Sequence, residues 1–404
     1  MPVMGDRAED GDFGATVAAL AVGQLLCWAV LFYGFSSYVL PMQRELGWHK
    51  PTLMGAFTLG LAVNGLTTYA VGAAIDRGHG RAVLTGGALL AGLGCFVWAL
   101  VSQPWMLYAA WVVLGSAMTM TLYEPAFMVL TKRYPTRFRD GITRLTLVGG
   151  FASTLSYPAV AALMRAFGWR GSLWVLGLLL IVLVAPLHAW ALRGPALARV
   201  PGHAGGSADT TLREALQRPA FWLLTLAFTA YAFVSAAFWA HVMPAFADKG
   251  FSEAQALSVL VWFGPAQVAG RLLHALAGRG LSLRWLGVVV LLAVPLAFAL
   301  FALGSALPTM IVFALLFGVA NGLVTIVRGG LVPEVFGRGH IGRISGAMSA
   351  VGLLARALAP LGAALLLLAL SGYRELMLVL AAIGLVSAAA FGAATGAHAR
   401  VNAR

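Results

Sequence analysis

The chain is predicted to be an all-α membrane protein, with twelve transmembrane helices in two pseudo-symmetric six-helix bundles and both termini cytoplasmic. Three observations lead there. The 404 residues are 60% hydrophobic and only 10% charged, with mean hydropathy +0.87, whereas a soluble domain carries about 25% charge. Apolar runs near the roughly 20 residues needed to cross a bilayer recur along the whole chain. Landmarks of the first half return in the second at a nearly constant offset.

Residues 1–13 form an acidic tail (Asp6, Glu9, Asp10, Asp12). A signal peptide needs a basic start, so the first apolar run is expected to remain as a span. Breaks at charge, proline and glycine clusters place spans at 14–40, 52–75, 82–102, 105–131, 143–167 and 171–192, which make the first bundle, 14–192. A hydrophilic linker follows at 193–218. Gly194, Pro195, Pro201, Gly202, Gly205 and Gly206 make its first part mobile, and Thr211-Leu-Arg-Glu214 has the spacing of a capping box. The second bundle, 219–397, holds spans 219–246, 254–278, 284–304, 307–333, 344–370 and 374–397, before a tail at 398–404.

Orientation follows from basic side chains, which favour the cytoplasmic side. With the N-terminus inside, eighteen of the 27 lysines and arginines fall inside and six outside; Arg271, Arg328 and Arg356 complete the set within spans.

The duplication rests on five correspondences. Pro41 and Pro244, and Gly115 and Gly318, are 203 apart; Pro158 and Pro360 are 202 apart. Gly168-Trp169-Arg170 returns as Gly372-Tyr373-Arg374 after 204 residues, and Leu46-Gly47-Trp48 parallels Lys249-Gly250-Phe251 after 203. Two repeats related about an axis normal to the membrane are an architecture of secondary transporters, which bind solute near the midplane between the halves.

Several functions are excluded. The glycine-rich runs lie in apolar helices without a phosphate-binding lysine, so they read as helix contacts and not as an enzyme's nucleotide loop. No segment is long enough for a nucleotide-hydrolysing domain. The basic excess is 24 Arg against three Lys scattered along the chain, unlike a nucleic-acid-binding tail. Cys27 and Cys95 sit in apolar runs and are expected as packed thiols. No cofactor, metal or enzymatic activity is expected.

The three buried arginines carry the functional reading. A cation in hydrocarbon is expensive and persists facing protein or water, and only one acid, Glu124, occupies comparable depth. Arg356 lies about 12 residues from either end of its span, so roughly 18 Å deep. Arg271 is roughly 10 Å from the cytoplasmic end and Arg328 roughly 7 Å, where snorkelling competes with function. Glu124 maps beside Arg328 through the repeat and reads as half of a gating latch, as a proton carrier, or as a structural pair. His241 belongs to the residue type that can switch charge in the physiological range and reads as a coupling residue or a packed one. Among the first-span aromatics Trp28, Phe32, Tyr33, Phe35 and Tyr38, Tyr33 is the candidate for solute contact, since a mid-span hydroxyl needs a partner. Asn64 is similarly placed, and Asn321 is a weaker candidate.

The loop Gly72-Ala-Ala-Ile-Asp76-Arg77-Gly-His-Gly-Arg81 resembles the cytoplasmic signature of the major facilitator superfamily, with its glycine-to-basic part displaced by one residue. The likeness covers nearly the whole chain and implies that fold, with Asp76, Arg77 and Arg81 in gating. Asp76 can accept bonds from neighbouring arginines or from a helix N-terminus. The second copy, Ala277-Gly278-Arg279-Gly280, lacks the acid. Phe238-Trp-Ala-His241-Val-Met-Pro244, Gly250-Phe-Ser-Glu-Ala and Gln267-Val-Ala-Gly-Arg271 are similar to the bacterial monocarboxylate and oxalate:formate branch. That likeness implies a solute-linked role for Arg271. Gln267 stands where the monocarboxylate pattern has an aspartate, which removes that route of proton coupling. Arg356 lies where the oxalate:formate type has a lysine.

The expected function is a secondary carrier of a small organic anion, monocarboxylate-like, working by proton-linked symport or anion exchange. Arg271, Arg356, Tyr33, Asn64 and Gln267 would contact the solute, and Glu124, Arg328, Asp76, Arg77, Arg81 and His241 would gate or couple. The partners are the anionic solute, the proton and the lipid bilayer of a bacterial inner membrane, with the chain acting as a monomer. A proton-coupled efflux pump for drugs or metabolites is the alternative, and a receptor or channel the more distant one.

Overall fold

The computed structural model describes residues 4–194, 210–277 and 280–401, and every regular element among them is a helix. Among the described residues, eleven helices are long and apolar enough to cross a membrane. They form two compact units. The first comprises Met1–Asp209 with Gly337–Ala347, the second Thr210–Phe336 with Met348–Arg404. Most of the expected linker, 195–209, the Gly278-Arg279 step and the last three residues lie outside the described residues.

Local chemistry sets the helix ends. Pro104 and Pro219 open Pro104–Thr121 and Pro219–Asp248, where the fixed φ suits a first turn and the missing N–H is not needed. Thr211 and Glu214 form the expected capping box at Leu212–Gln217. Ser252 and Gln255 form a second at Glu253–Leu260.

Three spans of the first unit depart from the expected continuous helices. Residues 14–40 were expected as one span. Instead Met4–Cys27 passes into a π turn at Trp28–Tyr33, and the helix resumes as Phe35–Leu46, six residues beyond the expected end. The 105–131 span breaks at Leu122, which is extended (φ −77°, ψ −166°) between Pro104–Thr121 and Tyr123–Arg133. Pro125 supplies the reason: it lacks the N–H that would bond the carbonyl of Thr121. The 143–167 span breaks at Gly150–Phe151, between Phe138–Gly149 and Ala152–Leu179. The helical geometry of Ala152–Leu179 is itself interrupted at Gly168 (φ 68°, ψ 175°), a conformation open to glycine because it has no Cβ.

Packing inside each unit repeats. In the first, a Cβ on Gly115 would meet the Gly60 carbonyl at 2.2 Å; in the second, one on Gly318 would meet the Phe263 carbonyl at 2.8 Å. Both members are shifted by 203 residues, so the same pair of helices touches at corresponding points. The first unit's core is aliphatic and aromatic around Trp98 and Trp111. The second is dominated by phenylalanine, with Phe238 edge-on to Phe298, Phe313 and Phe317 at 5.2–5.4 Å.

Candidate functional site

In the second unit a polar chain crosses three helices. Tyr231, buried in Pro219–Asp248, donates its hydroxyl proton to Asn321 Oδ1. Asn321, on Leu307–Phe336, donates from Nδ2 to Gln267 Oε1 at 3.0 Å. One turn beyond Gln267 on Phe263–Ala277, Arg271 is 4% exposed and donates from Nε to the Gly322 carbonyl at 3.1 Å. Fixing Nε this way orients the planar guanidinium.

Arg356, on Ile341–Ala369, is exposed and shares a helix stripe with the buried Gly352 and Ala359. Arg271, Gln267 and Asn321 therefore come together beside Tyr231.

The other second-unit candidates are placed apart. Arg328 donates from Nη2 to Ser349 Oγ at 2.5 Å and lies over the Phe228 ring at 5.9 Å. His241 sets Nε2 against the Pro360 carbonyl at 3.1 Å and Nδ1 against the Tyr373 hydroxyl at 3.3 Å. A carbonyl only accepts, so Nε2 carries the proton.

In the first unit Asp76 is the best-held acid. Lys132 Nζ lies 3.1 Å from its Oδ1, and the side chains are 6% and 4% exposed. Its two oxygens also accept from the backbone N–H groups of Gly342 (3.0 Å) and Arg343 (2.9 Å), in the first turn of Ile341–Ala369. The carboxylate thus caps a helix N-terminus, where backbone donors and the helix dipole both favour an anion. The approach needs glycine, since a Cβ on Gly72 would meet the Gly342 carbonyl at 2.1 Å. The basic partner is Lys132, not the neighbouring arginines; Arg77 and Arg81 are exposed.

Asn64 accepts at Oδ1 from Thr119 at 3.0 Å. Tyr33 is half-buried and packs on Phe32 and Trp28. Glu124 is half-buried in the first turn of Tyr123–Arg133, a favourable end for an acid. Cys27 and Cys95 are buried free thiols.

Sequence reasoning missed Tyr231, Lys132, Thr119 and the buried Gln24, whose Nε2 donates to the Thr121 and Leu122 carbonyls at 2.5 and 3.3 Å. Tyr231 had a signal, because it stands 203 residues after Trp28 in a run already singled out for aromatics. Lys132 is the one lysine near Asp76, but charge alone does not tell which base reaches a given acid.

A profile described as Major Facilitator Superfamily matches residues 20–360. Monocarboxylate transporter 13 of Rattus norvegicus is 25% identical over 333 residues, covering 80% of this chain and 74% of its own. The Bos taurus protein of the same name is 26% identical, covering 84% and 79%. Monocarboxylate transporter 11 of Homo sapiens is 30% identical over a shorter stretch, covering 42% and 36%. Among solved structures, the human organic anion transporter MFSD10 aligns with TM-score 0.70 at 16% identity, covering 95% of this chain and 99% of that one. A Major Facilitator Superfamily transporter, FucP, in the outward conformation aligns with TM-score 0.75 at 12% identity, covering 93% of this chain and 97% of that one. At those identities the structural likenesses speak to the fold alone.

Proposed function

We propose, for a chain that belongs to the major facilitator superfamily, that the solute is a small organic anion of monocarboxylate type. It moves by proton-linked symport or by anion exchange. The reading includes twelve spans, with Gly168 at the turn between the fifth and sixth, and bundles over 14–192 and 219–397. It also includes cytoplasmic termini, a bacterial inner membrane and a monomeric carrier.

One observation carries the reading: Arg271, buried and oriented through Nε by the Gly322 carbonyl, stands one turn from Gln267, which Asn321 joins to the Tyr231 hydroxyl. A carboxylate suits such a place, because a guanidinium offers paired donors matched to its two oxygens. Gln267 and Asn321 extend the surface with neutral amides, and Tyr33 and Asn64 are the remaining residues assigned to solute contact. The monocarboxylate names of the relatives matched over 74% and 79% of their own length support the solute class. Gln267 takes the position of the expected aspartate, so coupling falls to Glu124, Arg328 or His241, with Asp76, Arg77 and Arg81 gating the cytoplasmic side.

The test is counterflow. Purified protein in vesicles preloaded with unlabelled butyrate should concentrate radiolabelled butyrate, and an imposed proton gradient should drive net uptake if transport is symport. Wild-type rates in Arg271→Ala and Arg356→Ala would sink the assignment, as would no accumulation by wild type of any acid in a monocarboxylate panel.

A further inference from the structure

The polar chain of the second unit has a direction, and Tyr231 sets it. A phenol proton needs an acceptor, and the buried Tyr231 hydroxyl gives its proton to Asn321 Oδ1. That choice turns the Nδ2 end of the same amide toward Gln267, where it donates to Oε1 at 3.0 Å. With Oε1 engaged, Gln267 has its N–H groups left to offer. Gln267 is half-buried, and among the described residues its Nε2 has no protein acceptor and is not closed off. The chain therefore ends in a donor, one turn from Arg271 on Phe263–Ala277. Turning both amides over would keep the bond between Asn321 and Gln267 but set Nδ2 of Asn321 against the Tyr231 hydroxyl. The buried phenol proton would lose the acceptor it has, and interiors seldom leave such a donor unmet.

Arg271 by itself favours the opposite arrangement. A fixed cation attracts the oxygen end of a neighbouring amide and repels its N–H end, and residues four apart on a helix are neighbours. Arg271 is 4% exposed and held through Nε by the Gly322 carbonyl, so its charge stays in place. The duplication does not require the directed chain either. The positions 203 residues before Tyr231, Gln267 and Arg271 are Trp28, Asn64 and Thr68. There Asn64 Oδ1 accepts from the Thr119 hydroxyl at 3.0 Å, and that hydroxyl lies 2.7 Å from the Thr67 hydroxyl. A hydroxyl rotates to donate or accept, so it imposes no direction on Asn64, and Trp28 has no hydroxyl to add. The directed chain occurs in the unit that carries the guanidinium.

We propose that Tyr231 and Asn321 are positioning residues, which hold the Gln267 amide so that its N–H groups, and not its oxygen, meet the anionic group of the solute beside Arg271. The assignment rests on the acid-carrier reading above and adds a neutral donor to its guanidinium. The oxygens of a carboxylate only accept, so an N–H group adds to the attraction where an amide oxygen would oppose it. Fixing the amide before the solute arrives removes an ordering step from binding.

Butyrate counterflow by the purified full chain in vesicles is resolved into half-saturation and maximal rate for wild type, Tyr231→Phe, Gln267→Met and the double variant. Gln267→Met keeps the length of the side chain without its donor, and half-saturation should rise about tenfold. Tyr231→Phe keeps the ring and removes the proton that fixes the chain. Half-saturation should rise about threefold there, with the maximal rate within about twofold of wild type. In the Gln267→Met background Tyr231→Phe should change half-saturation no further, because Tyr231 acts through that amide. A loss of structure would persist in that background, so an equal rise in both backgrounds overturns the proposal. An unchanged half-saturation in Tyr231→Phe overturns it too, as does a value at or below that of wild type in Gln267→Met. If Tyr231→Phe fails to fold, Asn321→Leu replaces it in the same cycle with the same expectations. Butyrate transport by wild type with an additive cycle sinks the positioning role and leaves the acid-carrier reading standing. No accumulation by wild type of any acid in a monocarboxylate panel sinks both.

Discussion

Asn321 donates to Gln267 Oε1 at 3.0 Å, and in the other unit Thr119 donates to Asn64 Oδ1 at the same distance. Gln267 follows Asn64 by 203 positions and Asn321 follows Thr119 by 202. The duplicated bundle therefore keeps a side-chain hydrogen bond between the same two helices while changing the residues that make it. In the second unit that bond also holds Tyr231. Asn321→Leu should cost about 1–3 kcal/mol, because it leaves the buried Tyr231 hydroxyl and the half-buried Gln267 amide short of a partner. Gln267→Leu combined with Asn321→Leu should cost less than the sum of the singles. Thermal unfolding of the three variants checks this, and strict additivity would show the residues act independently.

Arg271 should not be replaceable by lysine. Its Nε is committed to the Gly322 carbonyl, and a lysine has neither that donor nor the planar fork. Arg271→Lys should keep the charge yet slow butyrate counterflow by about tenfold or more, equivalent to roughly 1.4 kcal/mol. Wild-type rates in this variant would mean that only charge matters.

Asp76→Asn removes the anion from a buried pair and from a helix N-terminus together. Lys132, 6% exposed in its side chain, is then left without its counter-charge, a situation that costs roughly 3–5 kcal/mol. Hydrogen exchange gives a local readout: the Gly342 and Arg343 amides, protected by the Asp76 oxygens, should exchange faster. A large loss of stability with those two amides unchanged would contradict the capping role.

Gly72→Val should fail in a way Gly14→Val does not. A Cβ at Gly72 meets backbone 2.1 Å away, whereas one at Gly14 meets nothing within 4 Å. Backbone cannot rotate aside as a side chain can, so the yield of folded, monodisperse protein should collapse for Gly72→Val alone.

Outside the spans, hydrogen bonds from Arg170 and then Trp169 hold the Glu45 carboxyl below its ordinary 4.5. A lowered folded value contributes stability that is present above about 4.5 and is lost as the pH falls through the lowered value. Glu45 is 48% exposed in its side chain, and solvent screening keeps the effect within about 1 kcal/mol. Acid titration of the melting temperature should therefore fall slightly less steeply in Glu45→Gln than in wild type.

Much of the helical scaffold was legible because hydropathy and repeat offset are properties of sequence alone. Asp76 was expected to meet a helix N-terminus or arginines, and the first alternative holds, with Lys132 added. The break at Leu122 was not anticipated, although Pro125 was in view as part of Tyr123-Glu124-Pro125. A proline one turn into an apolar run can bend a helix or break it, and the outcome depends on whether a neighbour can take the freed carbonyl. Gln24, nearly a hundred residues away, does so here. The repeat counterpart of Pro125 is Arg328, and there the helix runs on unbroken.

By itself the sequence determined that this chain is helical and membrane-embedded, because long apolar runs must satisfy their own backbone hydrogen bonds in lipid. It also showed landmarks of the first half returning about 203 residues later. Only the tertiary structure decided which polar groups meet: Tyr231 with Asn321, Lys132 with Asp76, Gln24 with the broken carbonyls. Hydrogen bonds form or fail over a few tenths of an ångström, and that separation is set by how each helix is rotated and how closely glycine lets it approach. No one-dimensional pattern records it.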